Sequence, residues 1–427
     1  MHTPRLWGFC GLRHSIIRRS SVVLIAFVAY QALNYALLWA ANHLLGIGGF
    51  GLFYTAFLIV NILLAPILAV ILVWTGRLTD AGARLGREQV VAMTFRALAT
   101  CAHALPFVSV AAALLAIACW WLGFEAWWIA LLVPLTVLAL VVIEILSASF
   151  QSMLLFGWQI AVWMAGGIAR LGFVVTALWL MPRVWTGLVG ILAGAVVASA
   201  AFTPWFLRAG RMGRRHLRPP FRFEVGKELP MVVSYSVFIL LTNVDILVGY
   251  LLLPRSELDI YAASALLPKA ITMMTFAVTQ VLLPVIVDQR ADGLRYGHSI
   301  LKGFAMTLVL GGAGAAVLWL AVPWVQLTPI AIRGLDFRVM MVLAGAATAL
   351  GVIRVFVVVE IALQRYAFGL AQIGAIVVFA LLCVISSGSA LRIADLYAAV
   401  SGMFMLIVGA AIIAQRHVLS SLFQTHS

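Results

Sequence analysis

The sequence is poor in charge. Only 10% of its 427 residues are charged, against about a quarter in a soluble domain, and 64% are hydrophobic, against about half. That shortage excludes a soluble globule and, with a mean hydropathy of +1.12, leaves a membrane protein with many spans. Cysteine is also scarce. Cys10, Cys101, Cys119 and Cys383 form no CxxC pair, so neither a disulfide framework nor a zinc site is supported, and the last three read as apolar packing. There is no P-loop, no H-E-x-x-H and no G-x-S-x-G, and no loop is long enough to be a domain. The chain is therefore not expected to be an enzyme, to hold a metal or to carry a cofactor.

What the sequence has is long apolar runs. A span needs about 20 mostly apolar residues. Twelve fit, at 21–45, 50–75, 98–122, 126–148, 159–181, 185–208, 229–253, 261–287, 301–325, 338–362, 366–388 and 393–414. The first follows a basic lead, runs over twenty residues without an A-x-A-like site, and reads as a retained span. The fold class expected is an all-α polytopic membrane protein, with 12 helices in two six-helix halves at 1–228 and 229–427.

The net charge of +14 does not point to nucleic acid, because the basic residues lie between spans. With the N-terminus placed inside, 20 Lys and Arg fall on the inner side and 5 on the outer, as the positive-inside rule requires. Both termini are then cytoplasmic. The basic loop Arg208 to Pro230 divides the chain and reads as a topology anchor, with anionic lipid headgroups as its alternative partner.

The halves share short patterns. "VVIEI" at Val141–Ile145 matches "VVVEI" at Val357–Ile361, an offset of 216, and two weaker matches lie at offsets of 208 and 218. Parallel repeats with a site between them are a common transporter design. On this reading Glu144 and Glu360 are equivalent, both toward the cytoplasmic ends of their spans, and gate or hold the inner mouth.

Ionisable groups inside spans are expensive and usually face a cavity or a partner. Glu144, Asp245 and Glu360 are the acids clearly within spans, and Arg170, Lys269 and Arg354 the bases. Arg354 and Glu360 are six apart, so they are not helical neighbours. At about 100° per residue, four helices each carry one polar stripe. These are Gln31, Asn34, Tyr35 and Asn42; Gln159, Trp163, Gly166 and Arg170; Ser234, Thr242 and Asp245; and Lys269, Thr272, Met273, Phe276 and Gln280. Helices around a watery cavity show such stripes, and so do helices joined by interhelical hydrogen bonds. His103 and His43 read as packing or hydrogen-bonding residues.

One resemblance covers the topology of the whole chain and the local pattern of about a quarter of it. Leu240 to Gly293, with Asn243-x-Asp245, Tyr261-Ala262-Ala263 and Pro284, resembles the seventh and eighth spans of bacterial polysaccharide (O-antigen type) flippases. These belong to the multidrug/oligosaccharidyl-lipid/polysaccharide exporter superfamily. The glycine-rich turn Leu44 to Ala56 and the stretch Phe150 to Val175 are similar to that family as well. The resemblance implies alternating-access transport of an oligosaccharide on an undecaprenyl diphosphate carrier across the bacterial inner membrane, in surface polysaccharide biosynthesis.

Arg170, Lys269 and Arg354, with Gln31, Asn34 and Gln280, then form the diphosphate and sugar cavity. Asp245, Glu144 and Glu360 serve coupling or gating, with Asp245 first for coupling to a proton or sodium gradient. The partners implied are the lipid-linked saccharide, membrane lipids and a polysaccharide polymerase complex, with no nucleic acid. The alternatives are a cation-coupled drug antiporter of the same superfamily and a membrane glycosyltransferase or polymerase.

Overall fold

The computed structural model describes residues 9–46, 48–85, 87–121, 127–153, 155–212, 225–291, 297–327, 332–363, 368–386 and 389–414. These residues form thirteen helices. In the first half they are α1 Phe9–Leu45, α2 Phe50–Leu85, α3 Arg87–Trp121, α4 Trp127–Ser152, α5 Phe156–Leu180 and α6 Val184–Met212. In the second they are α7 Val225–Leu241, α8 Val244–Leu252, α9 Arg255–Ala291, α10 Gly297–Val325, α11 Phe337–Leu363, α12 Phe368–Ser386 and α13 Ala390–Ala414.

Among the described residues, eight helices are long and apolar enough to cross a membrane. The α7–α8 pair, bent by 51°, adds a ninth as one broken span. Counting that pair once gives twelve helices, the number expected, of which nine are long and apolar enough to be spans among the described residues. The seventh span, expected to be continuous from 229 to 253, is the one that breaks. α1 and α9 have 37 residues each, roughly 55 Å of helix, and so outrun a hydrocarbon core of about 30 Å.

The same neighbours recur in each half. α5 lies on α6, α1 on α5, α2 on α4, α3 on α4 and α4 on α6. Correspondingly α12 lies on α13, α7 on α12, α9 on α11, α10 on α11 and α11 on α13. The halves meet where α2 packs on α7, α8 and α9 and where α1 packs on α9. The core of this seam is aromatic and small, with Phe50, Phe53 and Tyr54 against a cluster holding Tyr261, Ala262 and Ala263, all nearly inaccessible. Of those eight spans, α11 is the most enclosed and α3 the least.

Lipid gives helices no hydrophobic reason to associate, so close backbone packing has to do it. On α6 a Cβ at Gly190 would lie 2.7 Å from the Val174 Cα, and one at Gly194 would lie 2.5 Å from the Arg170 Cα. These glycines let α6 lie directly on the α5 backbone. They also fix Arg170 in depth and direction.

The repeated pentapeptide does not pack alike in the two halves. Glu144 on α4 is half-buried, whereas Glu360 on α11 is buried.

Candidate functional site

The site begins with the break in the seventh span. The Asn243 Nδ2 and the Thr242 hydroxyl both donate to the Ile239 carbonyl, each at 2.8 Å. Side chains that compete in this way for a helical carbonyl favour a turn over further helix. Asn243 leaves helical geometry at φ −133°, ψ −2°, and α8 restarts at Val244. The carbonyls freed at the end of α7 need donors, because the bilayer core supplies none. The Tyr397 hydroxyl on α13 donates to the Leu241 carbonyl at 2.8 Å, and the Lys269 Nζ on α9 donates to the Thr242 carbonyl at 2.7 Å.

Lys269 is the centre of the site. Its ammonium has three protons and three oxygen partners. These are the Thr242 carbonyl, the Asn243 Oδ1 at 3.3 Å and the Asp245 Oδ1 at 3.0 Å. Asp245 is completely buried in the first turn of α8, where the positive end of the helix dipole favours an anion. Its other oxygen accepts from the Tyr261 hydroxyl at 3.1 Å. The Lys269 side chain keeps 16% exposure and faces a narrow pocket, lined also by Thr242, Thr272, Leu350 and Tyr397. The lining holds the charged pair, and the part of it from α11, with Leu343, Ala347 and Leu350, is aliphatic.

The first half holds its cation differently. Arg170 on α5 is 5% exposed, and its Nε donates to the Gly166 carbonyl of its own helix at 3.0 Å. Its Nη2 donates to the Tyr30 hydroxyl on α1 at 2.7 Å, and the guanidinium carbon stands 5.4 Å from the Tyr30 ring centre. Trp163 stacks on that ring in turn, at 6.2 Å. Glu144 on α4 is half-buried.

Arg354, on α11, is buried one turn beyond the pocket-lining Leu350. It bonds the Tyr235 side chain and stands 5.6 Å from the Phe238 ring centre. The structure thus brings Lys269 together with Asp245, and Arg170 together with Tyr30. It gives Arg354 partners of its own on α7, so the three cations expected in one diphosphate cavity occupy three settings.

The expected stripes hold in part. On α1, Asn34 donates to the Gln31 side chain at 3.1 Å, whereas Asn42 turns away to the backbone of Arg333. On α9, Thr272 joins Lys269 at the pocket, but Met273 is exposed, contrary to the shared face expected. The side chains of Phe276 and Gln280 lie outside the described residues. Glu360 is buried on α11 and does not line the pocket. His103 is exposed on α3, away from the site.

Stripe counting missed Tyr30, Tyr261 and Tyr397, whose hydroxyls satisfy the charged groups and the broken backbone. In the sequence Tyr261 stands out only within the Tyr261-Ala262-Ala263 pattern. A tyrosine in an apolar run reads as hydrophobic, and a partner on another helix is needed to reveal its polar role.

No family model and no curated protein matches the chain. Solved structures do. Over 92% of this chain and 87% of the other, at 12% identity and a TM-score of 0.63, it is similar to the lipid II flippase MurJ in an inward closed conformation. It is also similar to the outward-facing conformation of a multidrug resistance MATE family transporter of the MOP superfamily, with 15% identity, 96% of each chain covered and a TM-score of 0.60. A MATE in the straight conformation matches at 13% identity over 96% of each chain, with a TM-score of 0.61. The chain has the fold of these 12-helix transporters, with two six-helix halves.

Proposed function

We propose that this protein is a membrane transporter that moves a lipid-linked oligosaccharide, carried on undecaprenyl diphosphate, across the bacterial inner membrane by alternating access. The observation that carries the reading is the Lys269 ammonium, held by Asp245 and a broken-helix carbonyl but still facing a pocket. A diphosphate entering a low-dielectric cavity needs cationic hydrogen-bond donors. Lys269 supplies them when its present acceptors give way to phosphate oxygens, and its flexible stem permits the exchange. Arg170 adds positive charge from the other half, so rocking the halves changes how the two cations face the headgroup. On this reading the basic loops lie on the cytoplasmic side.

Lys269 leaving Asp245 for phosphate would strand a buried carboxylate, which is costly unless it takes up a proton or a cation. Asp245 is accordingly proposed as the coupling group. The direct test is export of surface polysaccharide by Lys269→Ala, Arg170→Ala and Arg354→Ala variants present at normal membrane levels. Loss of export with accumulation of inner-face lipid-linked saccharide is expected. Full export by all three variants would remove the diphosphate site.

A second reading, a cation-coupled drug antiporter, is favoured by the same Asp245, a buried acid beside a pocket, and by the fold shared with MATE transporters. On that reading a deletion strain gains susceptibility to cationic drugs and keeps its surface polymer.

A further inference from the structure

Asp245 accepts from two side-chain donors, and both come from α9. Its Oδ1 takes the Lys269 ammonium at 3.0 Å, and its Oδ2 takes the Tyr261 hydroxyl at 3.1 Å. The two residues are eight apart in the sequence, about two turns of helix, and converge on one buried carboxylate.

The two donors differ in freedom. Lys269 has a flexible stem, lines the pocket and has two further oxygens in reach, the Thr242 carbonyl and the Asn243 Oδ1. Tyr261 is wholly buried in the seam core with Ala262 and Ala263, where α9 packs on α2, and it does not line the pocket. A rigid ring in a close-packed core moves little. The other donors near the break are already spent. The Tyr397 hydroxyl is on the Leu241 carbonyl, and the Thr242 hydroxyl is on the Ile239 carbonyl. The Asn243 Nδ2 is on the same Ile239 carbonyl and the Thr242 Oγ1. When Lys269 leaves, Tyr261 is therefore the side-chain donor that stays with Asp245 among the described residues.

We propose that Tyr261 is a positioning residue for the exchange of Lys269: its hydroxyl holds the Asp245 carboxylate while the ammonium turns to an anionic headgroup. The proposal deepens the role given to Asp245 above and rests on it. A buried carboxylate left without a donor bears its full desolvation penalty. A hydrogen bond to an ionised oxygen is roughly twice as strong as a neutral one. While Lys269 is in place, two donors share the charge and the hydroxyl adds little to what the ammonium supplies. Once Lys269 has gone, the same hydroxyl and the α8 N-terminus carry the stabilisation that remains. Tyr261 thus favours the exchanged state over the resting one, and only such a difference shifts an equilibrium.

The test reads how readily Lys269 leaves Asp245, through acylation of its amine. The full chain in lipid nanodiscs is treated at one pH with acetic anhydride, a small neutral reagent suited to a narrow pocket. Modification at Lys269 is followed by mass spectrometry, with the exposed Lys302 as internal reference. Four forms are compared: the parent, Tyr261→Phe, Asp245→Asn and the two changes together. Tyr261→Phe keeps the ring, so the seam stays filled. It should slow modification of Lys269 by roughly three- to tenfold, part or all of one charge-assisted hydrogen bond. Asp245→Asn should speed it, because the lysine loses its counter-charge. In the Asp245→Asn background, Tyr261→Phe should change nothing.

Equal slowing in both backgrounds would make Tyr261 a packing residue, indifferent to the charge at 245, and overturns the proposal. So does faster modification in Tyr261→Phe, or no modification of Lys269 in any form while Lys302 reacts. If Tyr261→Phe does not fold, recovery of folding on adding Asp245→Asn supports the proposal, and continued failure overturns it. No saccharide enters the measurement, so these outcomes are separate from failure of the flippase reading, which export reports.

Discussion

Arg170 and Lys269 are both membrane cations, one in each half, and the structure holds them by opposite strategies. Arg170 sits on an unbroken helix pressed against α6, with a carbonyl of its own helix and a tyrosine as partners. Lys269 reaches across to a broken helix, and all three of its acceptors belong to that break or to the turn after it. The arginine is built into its helix pair, so moving it means moving α5. The lysine is a tether, so moving it means exchanging oxygens. On the proposed reading, a transporter of an anionic headgroup needs one cation that can change partners, and Lys269 in the second half is the candidate for that part.

The comparison is broken most severely at Lys269. Lys269→Ala leaves Asp245 buried without its counter-charge, which costs about 3–5 kcal/mol. Thermal unfolding in detergent should show a large fall in Tm, and membrane levels should drop. Adding Asp245→Asn removes the stranded charge and should restore most of the stability without restoring transport. If the single variant is as stable as the parent, the pair is not holding the break.

The contrast is next tested at Gly194. Its missing Cβ would meet the Arg170 backbone at 2.5 and 2.6 Å, and no side-chain rotation relieves a clash with main chain. Gly194→Ala must push α6 away from α5, at about 1–3 kcal/mol for an overpacked contact. Stability and transport should fall together, because α5 carries Arg170 with it. Tyr30→Phe is gentler. It removes one hydrogen bond but leaves the ring beneath the guanidinium, so a loss of about 1 kcal/mol is expected. A loss as large as that at Lys269 would mean that Arg170 depends on Tyr30 as Lys269 depends on Asp245, and the contrast would fail.

Much of this was visible in the sequence, and what was hidden has physical causes. Hydropathy showed the spans, because a bilayer demands about 20 apolar residues whatever the fold. The ionisable residues were visible for the same reason, since each stands out against an apolar run. Pairing was not visible: Lys269 and Asp245 lie 24 residues apart on different helices, and helical periodicity speaks only within one helix. The break at Thr242 and Asn243 was hidden because it depends on two side chains sharing the Ile239 carbonyl, a matter of rotamers. The repeated pentapeptide was a weak guide to packing. Valine-rich runs recur by composition in any membrane protein, and an equal pattern does not bring equal burial: Glu144 is half-buried and Glu360 is buried.

The smallest expected effect tests whether the second half is looser away from Lys269 as well. Gln372 on α12 is fully buried, and neither its Oε1 nor its Nε2 has a hydrogen-bond partner among the described residues. The Ser234 hydroxyl of α7 and the Ser401 hydroxyl of α13 are in the same condition, on helices that α12 touches. A buried amide without partners costs more than an apolar side chain of its size. Gln372→Leu should then be neutral or stabilise by up to about 1 kcal/mol, read as an unchanged or raised Tm. A loss of more than about 1 kcal/mol would show that water or an ion completes these groups in the membrane. The second half would then hold a hydrated polar interior beside its exchangeable lysine, and the contrast with the glycine-packed setting of Arg170 would extend through both halves.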